Sequence, residues 1–476
     1  MNTEETRQSQ AQMSWWRRPC FGMGLGGGGI IATMGTFILA YYTNVIHIDP
    51  GLAGTVLAVS KVLDGISDLI AGRIVDKTHS RFGKARPWLL RICLPMVVCF
   101  IAAFSVPTGF STAAQIAYIF VTYNLFSTVC YTMVSVSYNS MSSLITTSQY
   151  ERSVNGVLGM TLYTVAMLII NTQMLKMCAA FGGGDVYSPR GWSISAVVLA
   201  LAYAACVMIT FLFCKEIENN ATEARTSAVE KPASVIKTLK ALITNKYWVE
   251  YVIALVTNGI GNTFVMGAAL FYAQFVLGDV DSYSSLSGAL YIAMFIGVIA
   301  TFIFIKKLGK RNTAIIGLVV LAVGTILAGI LPKTVSNTTI TMIIRGFGCG
   351  FPSALGTAVL QDTLTYGKWR SGFDMVGMGN AACSFTSKVG TGLGTAALGW
   401  ILKLGGYDST VAVQSDSAVR IITLSFTWIP LVFVIITLIC FVLYRLDKEY
   451  DRYAKDLSEG RYGPNAIIPG SSEEQE

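Results

Sequence analysis

An all-α polytopic membrane protein, with 12 transmembrane helices in two six-helix bundles and both termini cytoplasmic, is the fold this sequence predicts. Three observations carry it: a composition too apolar for water, evenly spaced apolar runs, and Lys/Arg concentrated in alternate loops. Of 476 residues, 53% are hydrophobic and only 13% charged, and the mean hydropathy is +0.57. Soluble domains carry about 25% charged residues, so this chain lacks the polar surface that water requires.

The expected spans are 22–43, 51–73, 88–107, 113–139, 154–179, 191–214, 246–277, 285–305, 313–331, 338–361, 376–403 and 421–445. Each supplies roughly the 20 residues that cross a hydrocarbon core. They carry Gly, Ser and Thr freely, as helices do where close approach replaces a hydrophobic drive. The connection after the second span holds Arg73, Lys77, Arg81, Lys84, Arg86 and Arg91, and the eighth holds Lys306, Lys307, Lys310 and Arg311. Connections 44–50, 108–112 and 278–284 hold neither Lys nor Arg, which places the even-numbered loops inside. The net charge of +8 is thereby assigned to topology, and no nucleic-acid partner is expected.

These runs divide the chain into a cytoplasmic tail (1–20), a first bundle (21–214), a cytoplasmic linker (215–245), a second bundle (246–445) and a cytoplasmic tail (446–476). Residues 1–20 lack the apolar core of a cleavable signal, and Trp15 and Trp16 beside Arg17 and Arg18 read as an interfacial anchor. The linker is the one long polar stretch between apolar runs. Beyond the last span, residues 445–457 alternate in charge and read as a surface helix. Ten cysteines show no CxxC pairing, and most sit in apolar runs as small hydrophobes.

Ionisable residues inside a span mark candidate function, because each is unfavourable there by a few kcal/mol. Lys61, Asp64 and Asp68 share one face of the second span. Counting inward from Arg73, Asp64 lies roughly 13 Å deep, near the bilayer middle. Two carboxylates at that depth require a cation, a proton or a basic partner. With hydroxyls from Ser60, Ser67 or Thr132 they suit Na⁺; a single carboxylate that holds its proton suits H⁺. A structural ion cluster neutralised by Lys61 is the alternative. Lys388, among small residues of the eleventh span, is the natural counter-charge from the second bundle. Asp362 and Asp374 read as solvated span ends, and Arg345 as either a snorkelling cation or a pathway residue. His47 and His79 fall in loops, leaving no histidine proton relay inside the spans.

The run GRIVDKTHSRFGKARPWLL, from Gly72 to Leu90, resembles the loop after the second helix in the glycoside–pentoside–hexuronide:cation symporters, a branch of the major facilitator superfamily. A second block, DTLTYGKWRSG from Asp362 to Gly372, followed by Lys388, is similar to that family at the matching place in the other half. The resemblance extends over residues 20–450. It implies a major facilitator fold in the cell inner membrane and symport of a sugar or glycoside with Na⁺ or H⁺, by alternating access and without a cofactor. It also implies that Asp64 and Asp68, with Ser67 and Thr132, bind the cation, and that Lys61 and Lys388 are their charge partners. Gly72, Asp76, Arg81, Arg86, Tyr366 and Arg370 would form a cytoplasmic gate whose ion pairs break during the cycle.

The sugar side departs from the family. Gly28 occupies the place of a sugar-binding aspartate in the first span, Ser135 that of a second in the fourth, and Gly159 that of an arginine in the fifth. Tyr131, Ser135, Tyr138, Asn139 and Gln361 remain to contact a ligand, beside a roomy, less acidic wall at Gly26–Gly29. The glycines serve close packing or a substrate-facing unwound segment. A carrier of a non-sugar solute, such as an amphiphile or organic anion, is the alternative, and a transporter-like membrane sensor a further one. No nucleophile–base set lies at membrane depth, so no enzyme is expected; the partners are a small solute and the bilayer, and the chain is expected to be a monomer.

Overall fold

The computed structural model describes residues 13–78, 80–146, 149–216, 235–373, 375–411 and 413–463. His79, Asp374, the linker core 217–234, the outer parts of both tails and the Asp76 side chain lie outside the described residues.

Helix α1 (Arg17–Ala40) runs on into a π-helical turn, Tyr41–Val45. Then follow α2 (Pro50–Asp76), α3 (Arg86–Ala103) and α4 (Thr112–Tyr123), which passes through a second π-helical stretch, Asn124–Tyr131, into α5 (Thr132–Leu144). Helices α6 (Gln149–Phe181) and α7 (Pro189–Phe213) complete the first half. The second half comprises α8 (Val235–Thr244), α9 (Lys246–Phe275), α10 (Ser282–Ile330), α11 (Val335–Ser371), α12 (Val376–Leu404), α13 (Asp416–Phe426) and α14 (Trp428–Leu443). A terminal helix, α15 (Tyr450–Ser458), occupies the segment expected to lie on the surface.

Asp49 starts α2 by accepting from the Leu52 amide at 3.0 Å, with Pro50 preset for the first helical position. The long α10 is broken at Gly309, whose φ of 77° suits glycine and separates the spans expected at 285–305 and 313–331. Ten helical stretches among the described residues are long and apolar enough to cross a bilayer. Helices α2 and α12, of 27 and 29 residues, are outside that set although they exceed the length a span takes. Lys61, Asp64, Asp68 and Arg73 lower the apolarity of α2, and Gly, Ser and Thr that of α12. One element departs from expectation: α8 forms inside the segment assigned to the linker. Ile236, Leu239, Leu242 and Ile243 recur at helical spacing there, and Leu242 is buried.

The chain forms two compact units. Unit 1 comprises Met1–Glu230, Ala273–Gly288 and Thr395–Ile421; unit 2 comprises Lys231–Tyr272, Ala289–Gly394 and Ile422–Glu476. In unit 1, α1 packs chiefly on α6 and α7, and α3 on α7.

The glycine run of α1 is wound and buried, which excludes an unwound segment. A Cβ at Gly29 would fall 2.5 Å from the Tyr163 carbonyl oxygen, so this position exists for backbone approach to α6. At Gly28 the nearest atoms are the Tyr131 hydroxyl at 3.5 Å and the Tyr163 ring at 3.8 Å, which leaves room. Gly29→Ala is therefore expected to lower stability by about 1–3 kcal/mol through overpacking, whereas Gly28→Ala leaves it unchanged. Thermal melting of the two purified variants separates them; equal melting temperatures would refute the packing role.

Candidate functional site

The charge cluster of α2 is built around Asp64, which is only 2% exposed. Its carboxylate accepts from Lys61 Nζ at 2.9 Å, from Ser127 Oγ at 2.8 Å, and from Thr128 Oγ1. Lys61 sits one turn earlier on α2, so the pair is an i,i+3 ion pair. The ammonium also donates to Ser127 Oγ at 3.4 Å and lies 5.6 Å from the Tyr123 ring centroid. Burial removes water from both charges, and the hydroxyls replace part of that solvation.

The π-helical stretch Asn124–Tyr131 supplies those hydroxyls. Widening a helix to i→i+5 bonding brings residues four and five apart onto one face. Ser127, Thr128 and Thr132 thus present their hydroxyls together, and Asn124 fixes the arrangement. Its amide accepts from Thr128 Oγ1 at 3.0 Å and donates to Ser60 Oγ at 2.9 Å. Ser67 donates to the Asp64 carbonyl at 2.8 Å and to Thr132 Oγ1 at 3.2 Å. Asp68 is half-buried one turn beyond. Of the expected cation residues, Ser67 and Thr132 therefore meet each other, while Ser127 and Thr128 touch the Asp64 carboxylate. Sequence reasoning missed these two and Asn124; the density of hydroxyls in NLFSTVCYTMVS was the available signal.

The expected solute contacts are dispersed. Tyr131 is partly exposed and faces Gly28, Ser135 is half-buried, and Asn139 is exposed. Tyr138 stacks on Phe21 with centroids 4.6 Å apart, a packing contact. In unit 2, Gln361 donates to Asn380 Oδ1 at 3.3 Å, and Lys388 is half-buried on α12.

Among the gate residues, Arg86 is buried, donates to the Phe211 carbonyl at 2.8 Å and stacks over Phe211. Arg81 lies over Phe82, and no atom within 4 Å restricts a Cβ at Gly72. The loop is held instead by Glu216, whose carboxylate accepts the amides of Lys84, Ala85 and Arg86 at 2.8, 2.9 and 2.6 Å. That is an anion seated on the N-terminus of α3. Tyr366 packs on Tyr247 and Trp369, and Arg370 donates to the Thr244 carbonyl, all within unit 2. One end charge differs from expectation, and for another, one of two alternatives falls. Asp362, expected in solvent, is 4% exposed and paired with Lys310 at 2.5 Å. Arg345 is fully buried, so it does not snorkel.

A second polar cluster in unit 1 joins the loop ends of α1, α6, α9, α10 and α12. Tyr283 donates to Asn171 Oδ1 at 2.9 Å, Tyr407 to Asn44 Oδ1 at 2.7 Å and Tyr187 to Gln274 Oε1 at 2.5 Å. Burial raises the pKa of the Tyr407 and Tyr187 hydroxyls, which keeps both as donors. Lys403 pairs with Asp49 at 3.1 Å, and the Trp400 indole donates to Thr55 at 2.8 Å.

Helices long and apolar enough to cross a bilayer, with a buried carboxylate lined by hydroxyls, fit a multi-pass membrane transporter, and the family match points to a transporter rather than an enzyme. Residues 20–448 match the model of the MFS/sugar transport protein family, and the chain belongs to that family. The Isoprimeverose transporter of Lactiplantibacillus pentosus is 30% identical over 436 residues, 91% of this chain and 88% of that protein. A Glucuronide carrier protein homolog of Escherichia coli (strain K12) is 26% identical over 467 residues, covering 96% and 98%. The crystal structure of a D-xylose-proton symporter has a similar fold, with a TM-score of 0.63 at 12% identity over 90% of this chain and 96% of that one. A nucleoside transporter matches at a TM-score of 0.61 and 13% identity, covering 90% and 99%. The likeness to glycoside:cation symporters and the major facilitator fold, both expected from the two sequence blocks, are borne out.

Proposed function

We propose that the chain is an inner-membrane symporter in which one Na⁺ or H⁺ binds at Asp64 and drives import of a sugar or glycoside through 12 spans. The observation that carries the reading is the buried Asp64 carboxylate, held by one ammonium and two hydroxyls. In the ion-free arrangement Lys61 acts as a tethered cation. A coupling ion that takes Asp64 releases Lys61 toward Asp68 and the Tyr123 ring. Sodium would use the Ser127 and Thr128 oxygens as further ligands, in keeping with the preference of hard cations for oxygen donors. A proton would neutralise Asp64 directly and free the same ammonium.

Either ion changes the charge balance of α2, and the two exposures of the solute cavity differ in energy by that change. The ion shifts the population only by its differential binding to the two states. On the solute side, Gly28, with the Tyr131 hydroxyl and the Tyr163 ring nearest it, would supply an uncharged, aromatic part of the solute wall. This wall replaces the carboxylates of the glycoside carriers, so selectivity rests on stacking and hydroxyl contacts. The names of the relatives, an isoprimeverose transporter and a glucuronide carrier homolog, support the substrate class.

The test is uptake of labelled glycosides into proteoliposomes under separately imposed Na⁺ and H⁺ gradients. Accumulation under one gradient and not the other identifies the ion. Equal uptake with no gradient at all would make the chain a uniporter and refute symport.

A further inference from the structure

Arg345 is fully buried on α11 at a depth where an unbalanced charge is costly. Its Nη2 donates to the Phe426 carbonyl at 2.9 Å, the last residue of α13, and its guanidinium lies 4.8 Å from the Phe426 ring centroid. A helix C-terminus offers about half a negative charge, which leaves the guanidinium under-compensated. Among the described residues, Nε and Nη1 have no hydrogen-bond acceptor. Both belong to a side chain that lines a cavity of about 30 Å³ within unit 2.

The other polar walls of that cavity come from α9 and from the second half of α10. Thr257 is committed to a 2.7 Å hydrogen bond with Thr437, and Thr325 donates to the Leu321 carbonyl at 2.7 Å. Asn258 and Asn262, four residues apart on α9, contribute amide groups, and Asn262 stays exposed at the rim. The cavity is therefore rich in donors, positively charged and open at one edge. Its volume holds one or two waters or one ion of similar size, and excludes a sugar. Water would satisfy the two N–H groups but would leave the charge unbalanced.

We propose that this cavity is a binding site for one small monovalent anion, a halide such as chloride or a carboxylate the size of formate. The anion accepts from Arg345 Nε and Nη1 and from the Asn258 and Asn262 amides, and neutralises the guanidinium inside the helix bundle. The site is independent of Asp64 and does not rest on the symport reading.

Thermal unfolding of the purified full chain, at fixed pH and cation concentration, tests it. Gluconate is replaced stepwise by chloride in one arm and by formate in the other. Binding to the native state alone raises the melting temperature with ligand concentration. The expected result is a saturable rise of several degrees in wild type with chloride, formate or both, the arms showing which anion fits. Arg345→Gln, which keeps donors without the charge, is expected to abolish that rise. Should Arg345→Gln fail to fold, Val265→Ile narrows the cavity by one methylene and leaves Arg345 in place; it is expected to weaken the anion effect at least tenfold. Melting of wild type that ignores both anions, or a rise of equal size in wild type and the variants, would overturn the proposal.

Discussion

Asp64→Asn is expected to reduce gradient-driven uptake by at least about 100-fold, because the proposed ion site loses its buried carboxylate charge. Asparagine keeps the shape and still accepts from Ser127 and Thr128, so loss of charge is the main change. Lys61 is then left without its carboxylate, and removing one partner of a buried pair destabilises by about 3–5 kcal/mol. Lys61 is 25% exposed at the side chain, so solvent reduces that figure here. The double variant Lys61→Met/Asp64→Asn separates the effects: it restores stability without restoring an ion site. Solute exchange across the membrane without a gradient is expected to persist in the double variant while accumulation is lost. Accumulation by Asp64→Asn at the wild-type rate would remove the cation role and leave the pair as structure.

How much of this was legible in the sequence depends on which property each residue needed. An interior position for Asp64 was legible by counting helical rise inward from Arg73, and its burial agrees with that. The helix face was legible for Lys61, Asp64 and Asp68, since i,i+3 and i,i+4 spacing on one helix requires no tertiary information. Ser127 and Thr128 were so only in part: the run of hydroxyls was visible, but a π-helical stretch shifts the face by one residue and hides which of them turn to Asp64. Arg345 illustrates a second limit. Sequence places it near a span end but does not say whether the side chain turns to the headgroups or inward, and the structure turns it fully inward. Asp362 fails for the same reason: its partner Lys310 is 52 residues away on the preceding helix, just after the break at Gly309. Helix α8 was readable and missed, since its apolar residues recur at helical spacing within a segment judged by its average polarity.

Asn171→Leu is expected to loosen the polar cluster of unit 1 and to shift the transporter's conformational equilibrium by about tenfold or more. Asn171 is wholly buried in α6 and joins three partners. Its amide nitrogen donates to the Met167 carbonyl at 2.9 Å and to Thr33 Oγ1 at 3.3 Å, and its oxygen accepts from Tyr283 at 2.9 Å. Leucine fills similar volume but deletes the acceptor of the Tyr283 hydroxyl and the donor to Thr33 and Met167, at about 1–3 kcal/mol. An increment of 1.4 kcal/mol is about a tenfold change in an equilibrium. Separation of these elements lets water replace the deleted acceptor, so an arrangement in which they part gains relative to the packed one. Tyr407 with Asn44, Tyr187 with Gln274, and Lys403 with Asp49 then become easier to part, because each ties loop ends of the same cluster. Hydrogen exchange reads the effect directly. Amides of 44–49 and 405–411 are expected to exchange about tenfold faster in the variant, with the core of α3 unchanged. Tyr283→Phe removes the hydroxyl at the other end of the bond, and it is expected to relieve the defect when added to Asn171→Leu. Exchange in both segments at the wild-type rate would assign Asn171 to static packing and leave it no part in holding the cluster together.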